Sequence, residues 1–352
     1  MGVNIRELIS DDVRRQIDDL RQLRGQVIAI DGYNALYQFL TAIRQPDGTP
    51  LMDTSGRITS HLSGLFYRTI NLMENGIKPL YVFDGKPPEI KAEEIARRKK
   101  IREDASRKYE ESIKKGDLES ARRYAMMSAK LTDEMVNDAK KLLEAMGLPY
   151  VQAPAEGEAQ AAYIVRKGDA YASASQDYDS LLFGSTRLIR NLTISGRRKL
   201  PGREEYEEVK PEIIELNLLL NKLGITREQL IDLAILIGTD YNPDGIPNIG
   251  VKTAYQLIKQ YKSLEKIPKT YLAGESIDEL IKIRQYFLTP PITVNYRIDW
   301  REPDVNEIKR ILVEEHDFNS ERVSNACERL VKAYREFFKS KQMGLETWFK
   351  KN

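Results

Sequence analysis

Seven acidic residues stand where a folded chain could gather them: Asp31, Asp84, Glu156, Glu158, Asp177, Asp179 and Asp240. Asp31 and Asp84 each end a short apolar run and precede a glycine, while Glu156-Gly157-Glu158 and Asp177-Tyr178-Asp179 each hold two carboxylates one residue apart. On an extended backbone, residues i and i+2 point to the same side, so Asp177 and Asp179 are expected to converge on one ion. Glu156 and Glu158 follow Pro154 at the expected start of a helix, where only a first, irregular turn lets both face one way; Gly157 permits it. So many negative charges in low dielectric are prohibitive unless cations neutralise them. Oxygen ligands in a chain with two histidines, His61 and His316, favour Mg²⁺ or Mn²⁺ over zinc. Two such ions about 4 Å apart activate a water on one side of a phosphodiester and stabilise the leaving oxygen on the other.

An aspartate before a glycine is often only a turn cap. That reading accounts for one or two of these acids, not for seven. Asp177-Tyr178-Asp179-Ser180 also fits a D-x-D phosphatase with a covalent aspartyl intermediate, which leaves Asp31, Asp84 and Glu156 without a role.

The positions of the acids imply an α/β fold. Residues 26–30 and 79–83 are apolar, partly β-branched runs that read as buried strands, and residues 58–74 between them have helical periodicity. Strand, helix, strand implies a right-handed crossover and a mostly parallel central sheet flanked by helices. A third strand, 170–175, leads into Asp177 and Asp179. Ligands of such sheets bind at the carboxyl ends of the strands, where these acid groups fall. From 86 to 115 there are eleven Lys or Arg against seven Asp or Glu and no Leu or Val, so this segment reads as exposed charged helices, running on to about Leu131. Helices are expected at 211–223, 226–237 and 251–261, with a Gly/Pro loop at 242–250 and a basic, partly aromatic tail from 331 to 352.

Nucleic acid is the expected substrate. Residues 245–254, which include Gly245, Gly250, Lys252 and Thr253, resemble the hairpin of helix-hairpin-helix DNA-binding motifs. Its glycines let backbone amides approach a phosphate at the start of the next helix, and Lys252 adds charge. Asp240 just before this loop ties duplex binding to the acids. Lys91 and Arg98, seven apart, share a helix face and could both reach a phosphate. Tyr37, six residues after Asp31, could stack on a base. A non-catalytic DNA-binding scaffold is the rival from a different class.

Composition narrows the setting. The chain has 352 residues, 41% apolar, enough for a substantial core. The net charge of +2 is uninformative, because 31% of residues are charged and only their distribution matters. The single cysteine, Cys327, leaves no intramolecular disulfide and suits a reducing, cytoplasmic setting. No stretch approaches the length of a membrane span, and Arg6 stands where a myristoylation signal needs Ser or Thr.

Residues 30–31 with 37–40, 76–88, 153–159, 175–179 and 238–254 together resemble the archaeal flap endonucleases, a branch of the structure-specific 5′ nucleases that also includes excision-repair nucleases. The likeness covers essentially the whole chain. It implies a PIN-like nuclease domain over 1–330, with an inserted helical gateway at 85–135 and a helix-hairpin-helix element at 225–262. It implies that the seven acids hold two Mg²⁺ ions, replaceable by Mn²⁺, and that a K⁺ ion sits at the hairpin. Lys91 and Arg98 would steer the scissile phosphate, Tyr37 would stack at the cleavage point, and Arg44 and Arg68 would lie near the upstream duplex. The implied activity is 5′ flap cleavage, with 5′-3′ exonuclease action, in lagging-strand maturation and long-patch base excision repair. Gly32-Tyr33-Asn34 departs from the small residues that many relatives carry after this aspartate. The tail 331–352 contains Gln342, Leu345, Trp348 and Phe349, spaced as in the box that binds a sliding clamp, proliferating cell nuclear antigen. Apart from that partner the protein is expected to be monomeric.

Overall fold

The computed structural model describes residues 2–45, 49–194, 196–199 and 206–339. Strands are β1 (Arg14–Gln16), β2 (Val27–Asp31), β3 (Lys78–Phe83), β4 (Tyr150–Gln152), β5 (Ala172–Ala174), β6 (Arg187–Arg190), β7 (Gly196–Lys199), β8 (Tyr206–Val209) and β9 (Glu212–Glu215). Seven of them form one sheet in the order β1-β9-β6-β5-β2-β3-β4, and β7 and β8 pair separately. The run from β6 to β4 is parallel, while β9 joins antiparallel to both β6 and β1. The mostly parallel α/β sheet expected from the sequence is present.

The first half contributes α1 (Gly32–Ala42), α2 (Ser60–Glu74), α3 (Ala92–Lys115), α4 (Leu118–Met127), α5 (Asp133–Ala145), α6 (Gly157–Lys167) and the single turn α7 (Asp179–Leu182). The second half adds α8 (Leu216–Leu223), α9 (Arg227–Ile237), α10 (Val251–Tyr261), α11 (Ile277–Leu288), α12 (Val305–Lys309) and α13 (Ser320–Tyr334).

Strand alternation divides the core between the two faces of the sheet. Ile28, Ile30, Tyr81 and Phe83 face a cluster that includes Leu36, Phe66 and Leu142 from α1, α2 and α5. Ala29, Leu80 and Val82 face Ala161, Ile164 and Val165 of α6. A further cluster joins residues 3–13 to α7 through α11. Helices α1 and α2 meet at Gly64, where an added Cβ would fall 2.2 Å from Cγ of Phe39, so only glycine allows this approach.

The helical reading of 211–223 is corrected in part. Residues 212–215 are a strand paired with β6 and β1, whose Ile213 and Ile214 are buried in different core clusters, and the helix begins only at Leu216. The charged insert forms two packed antiparallel helices, α3 and α4, reversed at Gly116 with φ +71°. Its 24-residue first helix is about 36 Å long. Thr226 and Gln229 form a capping box that starts α9, and the loop to α10 turns through Gly238, Gly245 and Asn248, all with positive φ.

Candidate active site

The acids arrive from separate elements at the carboxyl ends of the central strands. Asp31 ends β2 and caps α1, accepting from the backbone N–H of Asn34 at 2.9 Å. Asp84 follows β3 and accepts from the N–H of Gly157 at 2.6 Å. An added Cβ at Gly157 would come within 2.7 Å of that carboxylate, so glycine is what brings the start of α6 against it. Glu156 is the extended residue before α6 and Glu158 lies in its first turn.

The geometry expected around Asp177 is different. Tyr178 has φ −78° and ψ −6°, so the segment turns rather than extends, and Asp179 begins α7. A turn delivers both acids, because only residues 175–178 separate the end of β5 from the start of α7. Asp240 sits between the end of α9 and the hairpin loop.

The electrostatics tie the seven together. Burial, then Asp84 and Asp177, push the Asp31 carboxyl well above its usual range. Burial and Glu156 raise Asp84 to about 6, with Asp240 adding to the effect. Burial, then Asp179, Asp177 and Asp31, raise Glu158 strongly. Burial, Asp240 and Asp177 raise Asp179 to about 7. Each acid therefore feels its neighbours across element boundaries.

Two cations of the chain relieve part of this repulsion. Lys91 Nζ lies 2.8 Å from Glu156 and 3.1 Å from Asp240. Arg98 donates to Asp240 and to Glu94, both at 2.6 Å. Burial alone would raise Asp240, but Lys91 and Arg98 outweigh it and hold that carboxyl low. Burial opposes the charge on Lys91, yet Glu156 and Asp240 overcome it and raise the ammonium's pKa. Among the described residues, no three acidic, histidine or cysteine side chains are arranged to hold an ion as they stand. The donor set nonetheless fits a hard divalent cation: it is all oxygen, buried or half-buried and self-repelling, with a lysine ammonium lodged between two of its members.

The hairpin borders this pocket. Arg98 reaches Asp240, and Arg97 lies 3.4 Å from Asp244 in the loop, so the base of α3 touches the turn before α10. Gly250 caps α10 with open space on its Cβ side, and Lys252 and Thr253 are exposed beside it. Gly245 packs against the backbone of Ile237 and Gly238 with no room for a side chain. Tyr37 is 40% exposed on α1. Arg44 donates to the Ala125 carbonyl of α4 at 3.0 Å, so part of its donor capacity links α1 to the insert, and Arg68 is half-buried on α2. Gln342, Leu345, Trp348 and Phe349 lie outside the described residues.

Sequence reasoning missed several participants. The backbone N–H of Val3 donates to Asp179 at 2.7 Å, and Gly2 leaves no room for a Cβ beside that carboxylate. Tyr241, with Tyr286 and Phe287 packed against it, lies under Lys91, whose Nζ is 6.0 Å from the ring centroid. Ser175 donates to Glu158 at 2.8 Å. The departure at Asn34 places its amide 3.5 Å from Asp177. Nothing in composition or periodicity distinguishes such residues from ordinary core and turn positions.

Comparison with known proteins adds independent findings. A model of the XPG N-terminal domain matches residues 1–105, and a model of the XPG I-region matches residues 147–240. Flap endonuclease 1 of Staphylothermus marinus is 72% identical over 349 residues, covering 99% of this chain and 100% of that protein. That of Hyperthermus butylicus is 64% identical over 351 residues and covers both chains completely. Among solved structures, flap endonuclease-1 from Methanococcus jannaschii aligns with a TM-score of 0.75 at 43% identity, over 95% of this chain and 99% of that one. The catalytic core of Rad2 in complex with DNA substrate aligns at 0.69 with 23% identity, over 94% of this chain and 100% of that one, a likeness of fold.

Proposed function

The chain belongs to the archaeal flap endonuclease family, and from that premise we propose that its seven carboxylates hold two Mg²⁺ ions for phosphodiester hydrolysis at a single-strand/duplex junction. Its function is structure-specific cleavage of flapped DNA. The observation that carries the metal reading is the group of largely buried, mutually repelling acids with Lys91 between Glu156 and Asp240.

Asp31, Asp84, Glu156, Glu158, Asp177, Asp179 and Asp240 are the proposed ligands, with Mn²⁺ able to replace Mg²⁺. Ions bound there would activate the attacking water and neutralise the leaving oxygen. The chain's own contribution is positioning. Lys91 and Arg98 supply donors that can turn from Glu156 and Asp240 to the oxygens of the scissile phosphate. Arg98 at the root of α3 meets Asp240 just before the hairpin loop, which ties the chain entering the duplex-binding element to the acids. The open side of Gly250 with Lys252 and Thr253 suits a phosphate of duplex DNA, and a K⁺ ion shared with that phosphate fits the same loop. Tyr37 offers a ring for stacking at the cleavage point. Arg44 and Arg68 are assigned to the side of the upstream duplex, Arg44 through whatever donors its contact with Ala125 leaves.

The proposed organisation is a nuclease domain at 1–330, with a gateway at 85–135 and a duplex-binding element at 225–262, followed by a clamp-binding tail at 331–352. The reading extends to 5′-3′ exonuclease action, to lagging-strand maturation and long-patch repair inside the cell, and to recruitment by a sliding clamp through 342–349. Among the described residues no helix is long and apolar enough to cross a membrane. A D-x-D phosphatase would leave Asp31, Asp84 and Glu156 idle, and a non-catalytic scaffold would leave all seven acids so.

Purified protein given a labelled 5′ flap should cut it with Mg²⁺ and stop on chelation. Asp179→Ala should reduce incision to background while flap binding stays measurable. Full activity in that variant, or incision that survives chelation, would remove the two-metal reading.

A further inference from the structure

Between three of the acids lies one neutral side chain. Ser175, the first residue after β5, is 6% exposed. Its hydroxyl donates to Glu158 Oε1 at 2.8 Å, lies 3.4 Å from Asp31 Oδ2, and accepts from the backbone N–H of Asp177 at 3.2 Å. Its own N–H reaches the Ile189 carbonyl of β6, so the atom carrying the side chain is pinned to the sheet. One group thus touches acids delivered by β2, α6 and the turn after β5.

A hydroxyl has one proton and two lone pairs. The proton goes to a single carboxylate, and the distances choose Glu158 over Asp31. The lone pair turned to Asp177 N–H fixes where the turn begins. Alanine here would leave Glu158 without this donor and the Asp177 N–H without its acceptor, both half-buried. With repulsion unopposed at this point, the three carboxylates would spread. The contact from Asn34 to Asp177 is 3.5 Å, at the limit for a hydrogen bond, and so adds less. A cavity of about 10 Å³, room for one water, borders Asp31, Asn34, Gln38, Ser175 and Thr193, so this side of the acid group is not tightly filled by packing alone.

We propose that Ser175 is a positioning residue for the endonuclease reaction, holding Glu158, Asp31 and the Asp177 turn at the spacing in which they receive a divalent ion. The proposal rests on the reading of these acids as metal ligands. Ser175 itself touches neither substrate nor the reacting atoms.

The test uses the full chain with Ser175→Ala, Ser175→Thr and Ser175→Cys. Free Mn²⁺ is followed by its spin-resonance signal without DNA, alongside single-turnover flap cleavage, flap affinity and thermal midpoint. Loss of an outer partner of a metal ligand typically costs about 10- to 100-fold. Ser175→Ala should lose about that much in both Mn²⁺ affinity and single-turnover rate, with flap affinity held within about twofold. Ser175→Thr, which keeps the hydroxyl, should stay within about threefold of the parent. Should the alanine variant unfold, the cysteine variant, with similar volume and a weaker donor, must fall below threonine in both readouts. Parental Mn²⁺ affinity in the alanine or cysteine variant, or equal impairment by threonine and alanine, would overturn the proposal. If the parent itself binds no Mn²⁺, the failure belongs to the metal reading and not to Ser175.

Discussion

The acid pocket and the α3–α4 arm both carry dense charge, in opposite surroundings. In the pocket, Asp31, Glu156, Asp179 and Asp240 are all at most 7% exposed; burial and neighbouring acids raise Asp31 and Asp179, while Lys91 and Arg98 hold Asp240 low. On the arm, Lys99 lies 3.9 Å from Glu103, with both side chains largely in water. A pair of that kind is worth little, because water screens it and two long side chains must be ordered to make it. Burial decides what a charge can do. In the pocket it makes charge available for chemistry; on the arm, exposure leaves it for attraction at a distance. Lys91 and Arg98 stand at the junction, rooted on the arm and reaching into the pocket.

The comparison breaks first at that junction. If Lys91 works with the pocket and not with the arm, Lys91→Ala should lower the single-turnover rate about 10²-fold, as for other preorganised electrostatic contacts, with flap affinity nearly unchanged. An unaltered rate would return Lys91 to the arm.

The next test uses pH. Asp84 and Asp179 hold their protons to about 6 and about 7 in the fold, against an ordinary 3.8. Folded values above unfolded ones mean that their contribution to stability is complete below about pH 4 and is lost as pH rises through 6 to 7. Metal-free protein should therefore melt lower at pH 8 than at pH 5, and Mg²⁺ should raise the midpoint more at pH 8. Asp179→Asn removes one such group and should flatten the fall. A difference in midpoint between parent and this variant that does not change with pH would contradict the assignment.

The smallest effect belongs to the arm. Lys99→Ala or Lys100→Ala should each reduce the slope of log affinity against log salt by about one, with turnover on saturating flap unchanged within about twofold. A large loss of rate at saturation would erase the distinction between the two regions.

How much of this was legible in the sequence depended on whether the signal was local. Strands β2 and β3 were readable because buried parallel strands are continuous apolar runs ending in punctuating Asp-Gly pairs. The hairpin after α9 was readable because its glycines answer a backbone requirement. Strand β9 was misread because Glu212 to Glu215 is too short to show its period before α8 takes over. The turn at Tyr178 escaped because a two-residue acid spacing fits both strand and helix start. Ser175 and Val3 escaped because their partners, Glu158 and Asp179, lie 17 and 176 residues away in sequence, and neither residue is unusual by type.

The root of α3 is pinned by Lys91 and Arg98 to acids of the pocket, while the helix beyond Arg98 runs about 26 Å outward. It is a lever with its fulcrum at Asp240. A tilt of ~10° there would sweep the far tip by ~4.5 Å, so a small exchange of counter-charge at the pocket would be magnified along the helix.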